Sequence, residues 1–438
     1  MKTRSSKTMP LKTFNKEVMK ARMDACEGKV VISLLHHHGN DVDENHIAES
    51  RTPPWNFRVA SALANIGNCR AIAIRPTNLG KFLVKTIENV VVVLVPYKFQ
   101  YSSIFDKIIN KLKVLNLYKF MSETGYINDV VHSLVNKNND VILYINEYKN
   151  IRYDGIFKKL KTYPFILQQH SRKPFANDIA SYYKIKILRN LPRSAYFVLS
   201  VYELETLRSL KLGRYIKLRP MGVDVQKIQL INPKTRCEIR QRLNLPCDVT
   251  ILSSYLSNPI IRNGSLYEVK GAHFLPTIIR YLNEYFKTKN IKFLIFNISG
   301  KYGKYLESFG NVTVFPYLTH SEFLSYLAAS DLYFLPAHKD LRYTGIGVTI
   351  IEALGMGIPI VSPTLIHVPD KQSTKDIGVV TQYLENTKHA IRFARKLIYA
   401  IENMNNFNPF IARRIVETYF SWESFVKDFR EATTEIIR

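Results

Sequence analysis

The chain has 438 residues and a formal net charge of +26, and this length exceeds what one compact core supports, which favours two domains. Hydrophobic residues make up 46% of the chain, which excludes general disorder, and no apolar run reaches the length of a membrane span. The positive charge predicts a polyanionic neighbour, which is nucleic acid, an anionic membrane face or a phosphorylated ligand.

The four cysteines, Cys26, Cys69, Cys237 and Cys247, form no close CxxC pair. This spacing fits a reduced setting better than a disulfide framework. The basic N-terminal segment is not followed by a signal-peptide core. We therefore expect a cytoplasmic protein, with peripheral contact to the inner face of the membrane as a further expectation.

The first half of the chain alternates apolar strands with helical stretches. Residues 1–27 are polar and basic, which predicts a loose arm or a short helix. From Lys29, the run "KVVISLLHHHG" predicts a strand that ends in a loop. "PPWNFRVASALANIGN" predicts a helix, with Pro54 in its first turn and Gly67 as its C-terminal cap. The strands that follow are "CRAIAIRP", "NVVVVLVPY", "DVILYIN" and "YPFILQQH".

A second series of strands and helices begins near Lys211–Met221. Its strands, "VTILSSYL", "IKFLIFNISG", "NVTVFPYL" and "DLYFLPAH", are continuously apolar, which is typical of parallel sheets covered on both faces. Two such series predict an α/β protein with two doubly wound, Rossmann-like domains. The expected divisions are a basic arm at 1–27, an N-terminal domain at 28–215, a C-terminal domain at 216–410 and a terminal helix at 411–438.

The stretch "YTGIGVTIIEALGMGIPIVSP" is the strongest candidate for a binding site, because ligands of doubly wound sheets bind where the strands end. Gly345 and Gly347 permit a close approach of the ligand, and a helix start attracts phosphate. The carboxylate of Glu352 can accept hydrogen bonds from vicinal hydroxyls such as a ribose diol. The alternative is a tight helix–strand packing motif in which Glu352 bonds to backbone.

Six segments in order resemble a retaining GT-B glycosyltransferase of the large family 4. They are "RPMGVDVQKI", "RQRLNLPCDVTILSSYLS", "EVKGAHFLPTIIRYL", "KFLIFNISG", "NVTVFPYLTHSEFLSYLAASDLYFLPA" and "TGIGVTIIEALGMGIPIVS". The final "ETYFSWESFVKDF" resembles the helix that crosses back to the first domain. The resemblance covers residues 30–430 approximately and implies two Rossmann-like domains facing across a cleft. It also implies a nucleotide-diphosphate sugar as donor, retention of configuration, a glycan or lipid-linked acceptor, no cofactor and no metal.

The resemblance also assigns roles to individual residues. Glu352 matches the second carboxylate of the E-x7-E motif, which binds the ribose, and Lys270 matches the cation that meets the diphosphate. Gly300 matches a loop glycine near the base. His170 resembles the histidine that faces the donor sugar, and Gly39 takes the place of the glycine loop against the diphosphate. His170 and Lys270 are thus the candidate catalytic residues.

Two positions depart from the family pattern. The first carboxylate of E-x7-E is replaced by Thr344, so that the donor sugar differs, another group such as Asp340 or Lys339 supplies the contact, or activity is lost. The "GR" that normally follows the first strand of the donor domain is absent, and Arg262 in the longer loop is a candidate replacement. The nucleotide half of the site thus fits the pattern, whereas the sugar half is open.

The sequence also has features with alternative interpretations. The run His36–His38 could suggest zinc, but neighbouring side chains on a strand point in opposite directions, so we expect no metal site. The segment Tyr101–Met121 has basic and apolar residues at helical spacing, which fits either an anionic membrane surface or a core-packed helix. The competing functions are a catalytically degenerate sugar-nucleotide or glycan-binding protein, a nucleic-acid-binding protein, and an epimerase or phosphorylase of the same architecture.

Overall fold

The computed structural model describes two parallel sheets and the helices around them. Several predicted features lie outside the described residues, so the structure does not test them: the arm at 1–27, Gly39, the run His36–His38, His170 and the segment Tyr101–Met121. The described residues are 30–34, 55–66, 69–77, 83–87, 89–96, 131, 135, 141–146, 154–168, 179–262, 264–286 and 291–437.

The N-terminal sheet has eight strands in the order β3-β4-β2-β1-β5-β6-β7-β8. All neighbouring strands are parallel except β3 and β4, which form an antiparallel pair at one edge. The strands are β1 (Val30–Leu34), β2 (Arg70–Thr77), β3 (Leu83–Ile87), β4 (Val90–Pro96), β5 (Val141–Asn146), β6 (Phe165–Gln168), β7 (Ser194–Val198) and β8 (Tyr215–Leu218). The described helices of this half are α1 (Trp55–Asn65), α2 (Asp154–Lys159), α3 (Ile179–Arg189) and α4 (Val201–Ser209).

The C-terminal half contains a six-stranded parallel sheet and a separate antiparallel hairpin, β10–β11. The strands are β9 (Thr250–Tyr255), β10 (Ile260–Arg262), β11 (Ser265–Tyr267), β12 (Ile291–Phe296), β13 (Val312–Phe315), β14 (Leu332–Phe334), β15 (Ile360–Ser362) and β16 (Gly378–Val380). The sheet order is β13-β12-β9-β14-β15-β16. The helices are α5 (Pro233–Arg242), α6 (Leu275–Tyr285), α7 (Gly300–Glu307), α8 (His320–Ala328), α9 (Val348–Gly355), α10 (Thr374–Ile377), α11 (Thr387–Glu402), α12 (Pro409–Tyr419) and α13 (Trp422–Ile437).

Both sheets have the continuously apolar strands that the sequence predicted. β6 and β7 are buried along their whole length, and so are β14 and β15. Strands covered on both faces belong to parallel sheets flanked by helices, so the predicted pair of doubly wound α/β domains is confirmed. The sequence did not predict β3 or the β10–β11 hairpin. The chain leaves the N-terminal sheet after β8, which lies just beyond the expected division at 215.

The C-terminal helix α13 packs on the N-terminal sheet. The ring centroid of Phe425 lies 5.7 Å from that of Phe197 on β7 and 6.3 Å from that of Tyr144 on β5. Phe429, one turn further along, lies 6.2 Å from Tyr144. Buried aromatic side chains dominate the energetics of such contacts. The crossing helix expected from the fold class therefore shares a core with the first domain.

A buried arginine fixes the point where α13 begins. The guanidinium of Arg219, 2% exposed, donates to the carbonyl oxygens of Tyr419 and Ser421 and to Oγ of Ser424 at 2.9 Å. The carboxylate of Asp428 lies 3.4 Å away. Burial lowers the pKa of Arg219 to about 10, and the charge of Asp428 opposes that shift. Among the described residues, Nε makes no hydrogen bond and has this ion pair with Asp428. A buried guanidinium needs hydrogen bonds and opposite charge close by, so these contacts favour one position for α13.

The structure corrects the expectation for the cysteines. Cys237, on α5, and Cys247, in the turn before β9, form a disulfide, with their Cα atoms 5.3 Å apart. The expected absence of a disulfide was wrong for this pair, because the fold brings together two cysteines that form no local motif. Within the described part of the chain, no helix combines the length and apolarity that crossing a membrane requires.

We expect Phe425→Ala to lower the free energy of unfolding by about 3–5 kcal/mol, because it opens a cavity among buried aromatic rings. Urea unfolding followed by tryptophan fluorescence measures the change. Phe410→Ala is the control, since that side chain is 71% exposed and its loss is expected to change stability by less than about 0.5 kcal/mol. Equal effects of the two substitutions would contradict the packing of α13.

The Cys237–Cys247 disulfide is checked by alkylation and peptide mapping. In denatured, unreduced protein both cysteines should resist alkylation, whereas Cys69, which is not in a disulfide, should react. Reduction should expose the pair and lower the free energy of unfolding by about 2–3 kcal/mol, since it frees a short loop in the unfolded chain. Full alkylation of Cys237 before reduction would show that the bond is absent.

Candidate functional site

The candidate site is built around Glu352, which lies on α9 after β14. Gly347 caps the start of α9, and the helix buries four apolar neighbours of Glu352 together with the carboxylate itself, whose side chain is 5% exposed. A carboxylate so deeply buried needs hydrogen bonds or opposite charge to remain ionised. The apolar neighbours are Ile350, Ile351, Ala353 and Leu354.

The imidazole of His320 supplies a hydrogen bond to this carboxylate. Nε2 of His320, the first residue of α8, lies 2.7 Å from Oε1 of Glu352. Burial lowers the pKa of Arg58 on α1, and the negative charge of Glu352 opposes that shift. The carboxylate thus interacts with a side chain from each half of the protein. Neither His320 nor Arg58 was singled out from the sequence.

Lys270 is held in a tight turn that only glycine can complete. Gly271 adopts φ 88°, and a Cβ atom there would lie 1.8 Å from the carbonyl oxygen of Pro336. The buried carboxylate of Glu268 accepts a hydrogen bond from the N–H of Ala272 at 3.1 Å. Burial lowers the pKa of Lys270, and Glu268 opposes that shift. The turn therefore fixes a lysine ammonium in a partly desolvated place, where it interacts more strongly with an anion than it would in water.

Tyr255, the last residue of β9, connects Lys270 to Glu352. Nζ of Lys270 lies 4.6 Å from the ring centroid of Tyr255, a cation–π contact. Burial raises the pKa of Tyr255, and the nearby Tyr317 and Glu352 raise it further. The two residues that the sequence assigned to the diphosphate and to the ribose are thus brought to the same strand end.

A hydrogen-bond chain ties this strand end to α9. The N–H of Tyr255 donates to the hydroxyl of Tyr333 on β14 at 3.2 Å. That hydroxyl lies 3.0 Å from Oγ1 of Thr349, one turn before Glu352. Burial raises the pKa of Tyr333 to about 12, so it stays a neutral hydroxyl at physiological pH. This series of hydrogen bonds links the register of the sheet to the position of the Glu352 carboxylate.

The β10–β11 hairpin stands where the family pattern has "GR". Nη1 of Arg262 lies 3.9 Å from Oδ2 of Asp340, and its guanidinium sits 4.8 Å from the ring centroid of Tyr267. The hydroxyl of Tyr267 donates to the same carboxylate oxygen at 2.6 Å. The Arg262 side chain is 57% exposed. In this structure Arg262 is therefore engaged with Asp340, and its role toward phosphate stays a prediction.

The remaining predicted residues lie around the start of α9 and on α7. Thr344 is half-buried and ends the 3-10 turn before the glycines. Gly345 adopts φ 76°, and a Cβ atom there would lie 2.0 Å from the carbonyl oxygen of Leu199, the residue after β7. Gly345 thus permits the two halves to touch. Gly300 begins α7 at φ 64° with open space around it.

A second contact between the halves centres on His367. Its Nδ1 accepts a hydrogen bond from the N–H of Val201 at 3.3 Å, so Nε2 carries the proton and donates to the hydroxyl of Tyr383 at 2.9 Å. The ring of Tyr202 lies 5.9 Å from His367. Burial lowers the pKa of His367 to about 3. No sequence motif marks this histidine, because its partners are distant in the chain.

Within the described residues, no group of histidine, cysteine, aspartate and glutamate side chains could hold a metal ion. Arg58 and Lys270 are the cationic side chains in the contacts described above for Glu352 and Tyr255.

Comparison with solved structures identifies the fold as GT-B. Sucrose-phosphate synthase from Thermosynechococcus elongatus superposes with a TM-score of 0.63 at 15% identity, over 94% of this chain and 99% of that one. A glycosyltransferase from Rickettsia africae gives 0.62 at 13% identity, over 94% and 100%. Anabaena HepE in complex with UDP gives 0.58 at 12% identity, over 93% and 99%. These likenesses show the architecture that the sequence predicted.

One part of the chain matches a protein-family model. Residues 258–403 match the family model described as Glycosyl transferases group 1. This segment runs from the β10–β11 hairpin to the end of α11 and contains Lys270, His320 and Glu352. No curated protein matches the chain.

We expect the contact between the halves to weaken in acid because of His367. Its folded-state pKa of about 3 lies below the ordinary 6.5, so the unfolded chain binds the proton first, and stability is lost as pH falls below 6.5. For this group alone the loss is about 2 kcal/mol by about pH 5. His367→Asn, which keeps an acceptor for Val201, should flatten the dependence. Urea unfolding at pH 8 gives each protein its own reference, and unchanged pH profiles would refute the assignment.

Proposed function

We propose that the protein is a glycosyltransferase that moves a sugar from a nucleotide-diphosphate sugar to a glycan or lipid-linked acceptor. The carrying observation is that Glu352 and Lys270 share Tyr255 as a neighbour at a strand end. Both residues lie inside 258–403, the segment that matches a glycosyltransferase family. Two proteins of the same fold support a nucleotide ligand, since HepE was solved with UDP and Arabidopsis starch synthase IV with ADP and acarbose.

Each residue has a defined part in this proposal. The carboxylate of Glu352 accepts hydrogen bonds from the ribose hydroxyls. Lys270 and the N-terminus of α9 stabilise the negative charge that grows on the diphosphate as the bond from the sugar to its oxygen breaks. The acceptor hydroxyl attacks from the face that the diphosphate leaves, which retains the configuration. The leaving phosphate oxygen takes the proton of the acceptor hydroxyl.

The proposed reaction needs no metal, because Lys270 and a helix N-terminus supply the positive charge at the diphosphate. It needs no cofactor besides the donor. His170 toward the donor sugar and Gly39 toward the diphosphate are proposed contributions from the N-terminal half. Gly300 near the base and Arg262 near the phosphate complete the proposed donor site.

A second candidate is a catalytically degenerate protein of the same fold that binds a sugar nucleotide or a glycan. The contacts around Thr344, which stands where the family pattern has a carboxylate, favour this candidate. The two side chains that could take the place of that carboxylate are bonded to other residues. Asp340 is bonded to Tyr267, and Lys339 is bonded to Glu385 at 3.0 Å. Transfer of labelled sugar to a crude lipid or glycan fraction separates the candidates, since the degenerate protein transfers none.

The partners follow from the same chemistry. The net charge of +26 supports an anionic membrane surface as a partner for a lipid-linked acceptor. We retain a cytoplasmic location at the inner face of the membrane as a proposal, although the Cys237–Cys247 disulfide is more typical of an oxidising compartment. The charge is the single feature that supports nucleic acid.

The donor site is tested by thermal stabilisation with UDP-, GDP- and ADP-sugars. We expect one of them to raise the melting temperature, and both Glu352→Ala and Lys270→Ala to weaken its binding at least tenfold, because each removes a direct contact. The controls are Glu402→Gln and Lys388→Ala, which change matched charges on α11, away from the site. The proposal fails if no nucleotide sugar stabilises the protein, or if the site variants bind as the controls do.

A further inference from the structure

The bond between His320 and Glu352 joins a partly exposed side chain to a buried one. The carboxylate side chain is 5% exposed, whereas the imidazole side chain is 40% exposed. The imidazole therefore reaches from solvent to a carboxylate that the apolar face of α9 almost encloses.

The backbone of His320 is held by a capping box. Oγ1 of Thr319 accepts from the N–H of Glu322 at 3.2 Å, and Oε2 of Glu322 accepts from the N–H of Thr319 at 2.6 Å. The two bonds enclose the first turn of α8 and fix where the Cα–Cβ bond of His320 points. The imidazole therefore contacts Glu352 from a backbone position that two hydrogen bonds hold.

The carboxylate of Glu352 can bond to His320 and accept hydrogen bonds from a ligand at the same time. A carboxylate offers about four lone-pair sites on its two oxygens. A neutral imidazole that carries its proton on Nε2 donates to Oε1 of Glu352, which offsets part of the cost of burying the charge. The bond also fixes the plane of the carboxylate. Oε2 and the unused lone pair of Oε1 then have a defined direction toward a ligand.

The other groups around Glu352 do not duplicate this hydrogen bond. The hydroxyl of Tyr333 is paired with Thr349. The negative charge of Glu352 raises the pKa of Tyr255 and opposes the lowering of the pKa of Arg58 by burial. Each of these groups comes from a different element, on β14, β9 or α1. His320 is the residue of the described chain whose side chain hydrogen-bonds the carboxylate directly.

We propose that His320 is a positioning residue that orients Glu352 and thereby sets the preference of the site for an intact ribose diol. The inference rests on the proposed function, since it assumes that a nucleotide ribose meets Glu352. It predicts that the contribution of the ribose hydroxyls to affinity depends on His320, whereas the contribution of the diphosphate, which meets Lys270, does not.

The test compares ribonucleotides with their deoxy forms. Dissociation constants are measured by calorimetry for UDP, GDP and ADP, and for the 2′-deoxy and 3′-deoxy counterparts of the nucleotide that binds best. We expect the wild type to prefer the ribonucleotide at least tenfold. His320→Ala should reduce this preference to about twofold, while its affinity for the deoxy nucleotides stays within about twofold of the wild type.

Two amide variants separate positioning from folding. The longer side chain of His320→Gln can place an N–H near the position of Nε2, so part of the preference should return, whereas His320→Asn is too short and should behave like His320→Ala. Ser325→Ala, one turn along α8, is the control and should keep the full preference. Melting temperatures verify that each variant is folded.

The outcomes separate a failure of the proposed function from a failure of the inference about His320. If the wild type binds none of the nucleotides, the proposed function and this inference both fail. If the wild type prefers the ribonucleotide and His320→Ala keeps that preference, the inference alone is overturned. Equal weakening of ribo and deoxy forms in His320→Ala would also overturn it, since it would show a general structural effect. Loss of the preference with rescue by His320→Gln supports it.

Discussion

The burial of one carboxylate in an apolar helix is the constraint on which the candidate site depends. A buried charge without partners costs several kcal/mol, so the fold either neutralises it or surrounds it with donors and opposite charge. Here Glu352 is hydrogen-bonded to the imidazole of His320 and interacts electrostatically with the guanidinium of Arg58. The capping box of α8 and the tyrosine chain from β9 to α9 hold these groups in place. The arrangement makes physical sense for a group that has to stay charged and accept hydrogen bonds from a ligand.

The same reasoning extends to the contact between the two halves. Arg219 is buried where α13 begins, and His367 is buried where α4 meets the C-terminal half. Each requires several partners from distant parts of the chain, and these partners are satisfied in one arrangement of the halves. Gly345 adds a steric condition, because any side chain there would collide with Leu199. The position of α9 relative to the N-terminal sheet is thus specified by buried polar groups as well as by apolar packing, and Arg58 can reach Glu352 because of it.

Much of the fold could be predicted from the sequence, because its signals are local. Continuously apolar strands that alternate with helices predicted both parallel sheets. A lysine before a glycine turn and a glutamate after a glycine loop made Lys270 and Glu352 candidates, and their roles stay predictions. The features that were missed depend on contacts between distant segments. The disulfide joins Cys237 to Cys247 across a helix and a turn, and His320 is 32 residues from Glu352. The sequence showed that the loop after β9 is long, but the pairing of its short strands depends on packing against Asp340.

The two departures from the family pattern are physically connected through that packing. Both Arg262 and Tyr267 from the β10–β11 hairpin contact Asp340. Asp340 lies in the 3-10 turn that ends at Thr344, and the N–H of His338 just before that turn donates to the carbonyl oxygen of Val269 beside Lys270. Thr344, the hairpin and the turn beside Lys270 therefore form one contiguous structure. The segment around Thr344 is thus held by the hairpin and by the turn beside Lys270, whereas the carboxylate of Glu352 is held by His320 from a different helix.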